Sequence, residues 1–427
     1  MTRTSEKTEQ EGRRIPAAPA KNSHPVKKFL RELVSSDETT VYRVRGGVDK
    51  PFLILVVLLV CFGSVMVSSS GYVYAEANMG GDSFYFIKKQ LVWAVIGILA
   101  MVGMSVVDYG FLKKMTLPIF GVSYLLLWCV FLPGIGSAAK GAKRWVELGP
   151  LRFQPSEIMK FALVLLLALY ISKFAAKMKT FKYGIFIPAC MIGLVCVTVA
   201  LEKHMSGTII LFILGACMIF MSGASIKWIG GIAGVFGTAA LGIILFTDYT
   251  KARIDAWLHP EDYLLGKGYQ PYESLLAIGS GGLFGVGLGN SYQKHLWLPE
   301  PQNDFIFAIV CEELGLIGAL ALIALFVMLI WRGFHIAKKA PDTFSSLLVA
   351  GLTAKVGLQA LLNIAVVTTT IPTTGIALPF FSYGGTALVM QLAEMGIILS
   401  ISRFSSGERV KSENQSSIDS MERNPRA

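Results

Sequence analysis

The sequence predicts an all-α polytopic membrane protein with about ten transmembrane helices and a large extracytoplasmic loop between helices seven and eight. Three observations carry this. Of 427 residues, 53% are hydrophobic and 16% charged, where a soluble domain carries about 25% charged residues. The mean hydropathy is +0.58. The charges that remain gather in the termini and in short loops between apolar runs.

Residues 1–48 are rich in Ser, Glu, Lys and Arg without apolar periodicity and read as a disordered tail. No secretory signal is expected there, because this polar stretch leads directly into the first apolar run. Candidate spans follow at 51–67, 91–107, 115–132, 156–172, 183–201, 207–222, 228–246, 305–331, 344–367 and 386–401. A helix needs about 20 residues to cross a bilayer, with about 17 as the lower limit. The fourth and sixth runs are short and need their flanks or some re-entrant character. Residues 404–427 read as a second disordered tail, leaving 49–403 as the membrane domain. All six cysteines (Cys61, Cys129, Cys190, Cys196, Cys217 and Cys311) fall within apolar runs and read as small core residues. The five histidines are scattered, so no metal site is expected.

Charge sets the orientation. Lys173, Lys177, Lys179 and Lys182 share one loop with no acid; Lys113 and Lys114 occupy another; Arg332, Lys338 and Lys339 a third. Ten spans put these clusters and both termini on the cytoplasmic side, as the positive-inside rule requires. Dropping the fourth span alone would put the four-lysine loop outside. The net charge of +11 is accounted for in this way, and nucleic acid is not an expected partner. The outer face then carries residues 68–90, 133–155, 247–304 and 368–385. The second of these breaks the charge rule, with Lys140, Lys143, Arg144 and Arg152 against Glu147 alone. Lipid phosphate or a salt bridge is one explanation; an anionic substrate is the other.

Several constellations could carry chemistry. Asp304 closes the longest polar stretch and stands directly before the eighth span. A carboxylate at that depth is partly dehydrated, which should raise its pKa toward a value useful for proton abstraction. Glu312 lies about 12 Å deeper at 1.5 Å per residue, so the two cannot form a close carboxylate dyad. Glu312 and Glu313 are expected to pair internally, for example with Lys355. Lys355, Gln359 and Asn363 form an i, i+4, i+8 polar stripe on the ninth span. Gln154-Pro155-Ser156-Glu157 suits a helix start. Lys160 shares a face with Glu157, either as a structural pair or as a phosphate ligand. The glycines at 279–289 lack dinucleotide-fingerprint spacing and suit a packed re-entrant turn or close ligand contact. In the last outer loop, hydroxyls of Thr374, Ser382 and Tyr383 could satisfy the backbone or bind a sugar.

These segments resemble the SEDS family (shape, elongation, division and sporulation), to which FtsW, RodA and SpoVE belong. The matches are G-A-K-R-W at 141–145, Q-P-S-E-x-x-K at 154–160, G-Y-Q at 268–270, A-I-G-S-G-G-L-x-G-x-G-L-G-x-S-x-Q-K at 277–294, L-P-E-P-Q-N-D-F-I-F-A at 298–308 and P-T-T-G-I-x-L-P-F-x-S-Y-G-G at 372–385. P-E-P-Q-N-D and the long polar N-terminus are more like FtsW or SpoVE than RodA. The resemblance implies a ten-helix peptidoglycan glycosyltransferase that polymerises lipid II, a disaccharide-pentapeptide on undecaprenyl pyrophosphate, at the outer face of the bacterial cytoplasmic membrane. It implies a class B penicillin-binding transpeptidase as partner, together with septal division or sporulation proteins. Asp304 matches the family's outer-loop aspartate and is the expected base. Arg144, Lys160 and Arg253 are the expected cations for the leaving pyrophosphate, with Lys143 secondary. Trp145, Glu157, Gln270, Ser274, Lys294, Thr374, Ser382 and Tyr383 complete the expected substrate-binding set. No protein-bound cofactor is implied, although a divalent cation, Mg or Mn, could enter on the substrate phosphates. Three departures stand out: the stretch Glu202-Lys203-His204 after the fifth span, Glu273 in place of a glutamine, and Lys355. A flippase for lipid II and a scaffold for the transpeptidase are the alternative functions.

Overall fold

The computed structural model describes residues 44–405 other than 135, 140, 141, 150, 226, 229, 232, 233, 235–254, 256, 264, 265 and 267. Arg253 and most of the seventh predicted span lie outside the described residues; of that span Trp228, Gly230, Gly231 and Gly234 are helical.

The described residues begin with a two-residue strand β1 (Val44–Arg45), then α1 (Lys50–Asn78), α2 (Tyr85–Val106) and α3 (Tyr109–Cys129). Strands β2 (Gly136–Ala139), β3 (Ala142–Leu148) and β4 (Leu151–Phe153) lead into α4 (Pro155–Lys173). A π turn (Lys182–Phe186) opens α5 (Ile187–Leu201), followed by α6 (Met205–Met221) and α7 (Tyr269–Ser280). The long helices α8 (Ile306–Lys338), α9 (Thr343–Val367) and α10 (Gly385–Ser402) finish the domain, and β5 (Phe404–Ser405) pairs antiparallel with β1. Among the described residues, eight helices are long and apolar enough to cross a membrane, and α6 is a shorter apolar helix of 17 residues. The protein is a multi-pass membrane protein.

Local chemistry explains the helix starts. Asp49 caps α1, its Oδ1 accepting the Phe52 N–H at 3.0 Å. The same carboxylate is gripped by Arg332 at the far end of α8, at 2.7 Å. Asp342 and Ser345 form a reciprocal capping box on α9. Pro155 sits in the first turn of α4, where its missing N–H is not needed. The helix α4 runs through the centre of the bundle, every residue from Met159 to Ile171 buried. It packs against α3, α6 and α9, while α2 lies along α10. Burial all round explains why α4 can be only 19 residues long and still be apolar throughout: it meets protein on every side.

The glycine-rich segment takes the packed-turn form. At Gly315 the helix α8 breaks, with φ 67° and ψ −168°. The loop after α7 fills the break: Val286 and Gly287 donate to the carbonyls of Glu312 and Glu313, both at 3.0 Å, and Leu316 and Ile317 donate to Gly282 and Leu283, at 2.9 and 3.2 Å. Backbone groups freed at membrane depth thus find partners. The approach is so close that a Cβ on Gly315 would lie 2.3 Å from the Gly285 nitrogen.

Three expectations are corrected. The first span extends to Asn78, because Ser70 and Gly71 continue the helix buried, with Gly71 against Phe86, rather than turning out. The second outer segment is a three-stranded antiparallel sheet of order β2-β3-β4. At the edges of the expected tails, residues 44–45 and 404–405 pair as a ladder. Lys355 does not pair with Glu312 or Glu313. Glu313 binds Lys294 at 2.8 Å and the Ser69 hydroxyl, and Glu312 accepts Ser291 Oγ and the Tyr292 N–H.

Candidate active site

Asp304 lies half-buried in the turn that delivers the chain into α8. Two elements fix it. Asn363, near the outer end of α9, donates from Nδ2 to the Asp304 main-chain carbonyl and to the Ile376 carbonyl, each at 2.7 Å. Gly375 (φ +70°) backs against the carboxylate, where a Cβ would lie 3.3 Å from Oδ2. Thr374 is beside it, its Oγ1 buried and without a hydrogen-bond partner among the described residues. The loop is tied back through the Tyr383 N–H, which donates to Gln302 O at 2.8 Å.

About two helical turns below Asn363, roughly 12 Å at 1.5 Å per residue, is a polar cavity of about 50 Å³. Glu157 of α4, Lys355 and Gln359 of α9, Gln391 of α10, and Ser382 and Tyr383 of the last outer loop line it. Glu157 pairs with Lys160 at 2.8 Å, the i,i+3 geometry the sequence predicts, and Lys355 pairs with Glu394 at 2.6 Å. Ser382 Oγ accepts the Leu378 N–H at 2.7 Å. Tyr383 packs edge-on against Phe86, ring centroids 4.9 Å apart. Burial, and secondarily Tyr85, pushes its phenol up to about 12, so it stays a hydrogen-bond donor.

On the outer side of α4, Arg144 of β3 donates from Nη2 to Lys203 O at 2.6 Å. The Trp145 ring stacks beneath the Arg152 guanidinium at 4.8 Å. Arg144 thus stands over the turn Glu202–His204 between α5 and α6. The His204 ring meets Ser156 Oγ at 3.2 Å and Gln154 Nε2 at 3.3 Å, which joins this turn to the first turn of α4. Burial first, then Arg144 and Lys160, depress His204 to about 3, so its ring is neutral. Glu202 is 1% exposed with neither carboxyl oxygen hydrogen-bonded among the described residues. Burial raises it to about 8 against the opposing pull of Arg144.

The structure therefore brings Asp304, Thr374, Glu157, Lys160, Ser382 and Tyr383 to one region, with Arg144 and Trp145 next to it. Two predicted substrate residues face inward instead. Ser274 is fully buried and donates to Val367 O at 2.7 Å, closing the end of α9. Lys294 is 0% exposed, paired with Glu313 and lying 4.8 Å from the Tyr72 ring centroid. Gln270 is half-buried on α7, and Arg253 is outside the described residues. Gln391 and Glu394 were missed. The signal was present, since Glu394 is the single charged residue of the last predicted span.

A second cavity, of about 720 Å³, opens between α1 and α2. It is walled by Val60, Ser64, Leu91, Ala94 and Ile98, with Tyr72 and Leu288 also lining it.

A family model described as "Cell cycle protein", covering FtsW, RodA and SpoVE, matches residues 50–407. The chain belongs to the FtsW/RodA/SpoVE family. Stage V sporulation protein E of Bacillus subtilis (strain 168) is 40% identical over 361 residues, covering 84% of this chain and 97% of that protein. A Geobacter sp. (strain M18) protein named "Probable peptidoglycan glycosyltransferase FtsW" is also 40% identical, covering 83% of this chain and 97% of its own length. Among solved structures, Thermus thermophilus rod shape determining protein RodA superposes with a TM-score of 0.62 at 26% identity, covering 83% of this chain and 97% of that one. A chain from a structure described as "Structural coordination of polymerization and crosslinking by a peptidoglycan synthase complex" gives a TM-score of 0.69 at 26% identity, with 83% and 98% covered. The FtsW/RodA/SpoVE membership thus spans the whole helical domain, from α1 to β5.

Proposed function

We propose that this protein is a peptidoglycan glycosyltransferase that polymerises lipid II into glycan strands at the outer face of the cytoplasmic membrane. The observation that carries the reading is Asp304, half-buried and fixed through Asn363 above a polar cavity built by α4, α9, α10 and the last outer loop. Relatives named as peptidoglycan glycosyltransferases support it.

In the reaction the acceptor sugar hydroxyl attacks the anomeric carbon of the donor. The new glycosidic bond forms as the bond from that carbon to the undecaprenyl diphosphate oxygen breaks. Asp304 takes the hydroxyl proton as general base. Arg144, with Arg253, stabilises the charge developing on the diphosphate. Lys160 lies deeper and acts through Glu157. The groove between α1 and α2 is apolar and lies beside the outer segments, suiting the polyprenyl chain. A divalent cation, Mg or Mn, could enter with the diphosphate oxygens, since such ions need few protein ligands. A class B penicillin-binding transpeptidase is the natural partner, crosslinking what this chain polymerises at the septum, and both termini are cytoplasmic.

The test is a gel assay of glycan polymer from purified lipid II, with and without the transpeptidase. Wild type makes polymer; well-folded Asp304→Ala and Asp304→Asn variants make none. Polymer from either variant at the wild-type rate overturns the role of Asp304. The alternative, a lipid II flippase, draws on the four charged side chains buried beneath Asp304. Headgroup translocation in liposomes by an Asp304→Ala variant would favour the flippase.

A further inference from the structure

We infer that the buried Lys355–Glu394 ion pair positions Glu157, the carboxylate facing the polar cavity, and acts on the reaction only through it. This rests on reading that cavity as part of the glycosyltransferase site. Lys355 Nζ lies 2.6 and 2.8 Å from the two Glu394 oxygens, and the side chains are 2% and 1% exposed. On the facing helix, Lys160 is 3% exposed, while its partner Glu157 is 20% exposed. Glu157 and Lys355 line the same cavity; Glu394 lies behind Lys355 and does not. The charges of all four interact. The result is a neutral set of alternating charges on α4, α9 and α10 in which Glu157 alone has appreciable access to a ligand.

Stability does not account for the second pair. Taking two charges out of water costs more than their attraction commonly returns, and packed apolar side chains would join α9 to α10 at least as well. Charges in membrane-spanning helices are functional by default. The side chains of Lys355 and Glu394 are only 2% and 1% exposed, so their influence passes through a neighbour. Lys355 lines the cavity wall it shares with Glu157, and Glu394 holds the Lys355 ammonium in place. Gln391, three residues before Glu394 on α10, accepts the Phe380 N–H at 3.3 Å. One face of α10 therefore sets both the charge beside Glu157 and the loop that roofs the cavity.

The experiment replaces the pair by apolar residues of similar size, Lys355→Met with Glu394→Leu, in the full-length chain purified with its transpeptidase. Lys355→Arg serves as the conservative control. Glycan polymerisation is followed against lipid II concentration and pH. The Glu157 carboxyl infrared band is isolated as the difference between each protein and the same protein carrying Glu157→Gln. The double variant should keep the parent's thermal midpoint, lose kcat on the order of tenfold with KM changed by less than about threefold, and show a displaced pH profile and Glu157 band. Lys355→Arg should retain the parental band and most of the turnover. A double variant with parental kcat, pH profile and band overturns the inference, as does lost turnover with an unmoved band. If the double variant does not fold, Glu394→Asp keeps both charges but withdraws the carboxylate by one methylene. It should displace the band, and an unmoved band again overturns the inference. A wild type that makes no polymer counts against the glycosyltransferase reading, while the infrared band still decides whether the pair acts on Glu157.

Discussion

Asn363 holds Asp304 by its main chain, donating from one nitrogen to the carbonyls of Asp304 and Ile376 at 2.7 Å each. The side chain thereby pins the turn before α8 to the last outer loop, whose Gly375 passes close to the Asp304 carboxylate. Replacing Asn363 by Leu leaves two carbonyls without their donor, a loss of about 1–3 kcal/mol for each one that water does not reach. Displacement of a reacting group by about 1 Å can cost on the order of 100-fold in rate. Asn363→Leu should therefore lower kcat for polymerisation by one to two orders of magnitude while the thermal midpoint falls by a few degrees. Parallel melting curves and gel assays separate the two effects.

The break in α8 makes a second prediction. Gly315 combines a positive φ with ψ −168°, a region essentially reserved for glycine, and its ideal Cβ meets the backbone of Leu283 and Gly285. Gly289 also has a positive φ, of +84°, but its Cβ position is open. Gly289→Ala should cost only the backbone strain, about 1–2 kcal/mol. Gly315→Ala must in addition push the glycine loop off the helix, and should abolish the monodisperse peak in size-exclusion chromatography. Equal behaviour of the two variants would mean that loop packing does not hold α8.

These elements show what was legible in the sequence. Apolar length and the placement of lysines located most helices, including the short α4, because burial and the positive-inside rule act on composition. The i,i+3 spacing of Glu157 and Lys160 correctly gave a pair, since helix geometry is local. Lys355 with Glu394 was not readable: partners 39 residues apart are chosen by helix packing, which leaves no mark on spacing. Ser274 and Lys294 misled for a related reason. A buried polar side chain that closes a helix end, or neutralises a carboxylate, has the same residue type as one that binds a ligand. The outer sheet was missed because its strands have four, seven and three residues, too short for alternation to stand out. The first span was cut early because Ser68, Ser69 and Ser70 look like a boundary, whereas Ser69 reaches Glu313 and Ser70 is buried.

The Lys294–Glu313 pair sits where neither group is exposed, both side chains at 0%. Glu313→Leu alone strands an ammonium in the protein interior, which costs about 3–5 kcal/mol. Combining it with Lys294→Met removes the stranded charge and should recover most of that loss. A double-mutant cycle on thermal unfolding measures the coupling. Additive effects of the two substitutions would show that solvent already reaches the pair.

The turn between α5 and α6 predicts an optimum of stability in pH. Burial raises Glu202 from 4.5 to about 8. Between those values the unfolded chain has released a proton that the folded chain retains, so this group's contribution is full below pH 4.5 and is lost as pH rises toward 8. His204 works in the opposite sense. Burial, then Arg144 and Lys160, depress it from 6.5 to about 3, so its contribution is full above pH 6.5 and is lost as pH falls toward 3. From 4.5 to 6.5 the two slopes oppose one another, each about 1.4 kcal/mol per pH unit at most, which leaves a plateau with a fall on either side. Glu202→Gln removes the alkaline fall between 6.5 and 8 and, with nothing opposing His204, turns the plateau into an acid fall that begins at 6.5. His204→Gln removes the acid fall between 3 and 4.5 and, with nothing opposing Glu202, makes the alkaline fall begin at 4.5. Thermal midpoints of the wild type and both variants across this range test the assignment; an alkaline slope that survives Glu202→Gln would show that this carboxyl is solvated in the folded protein.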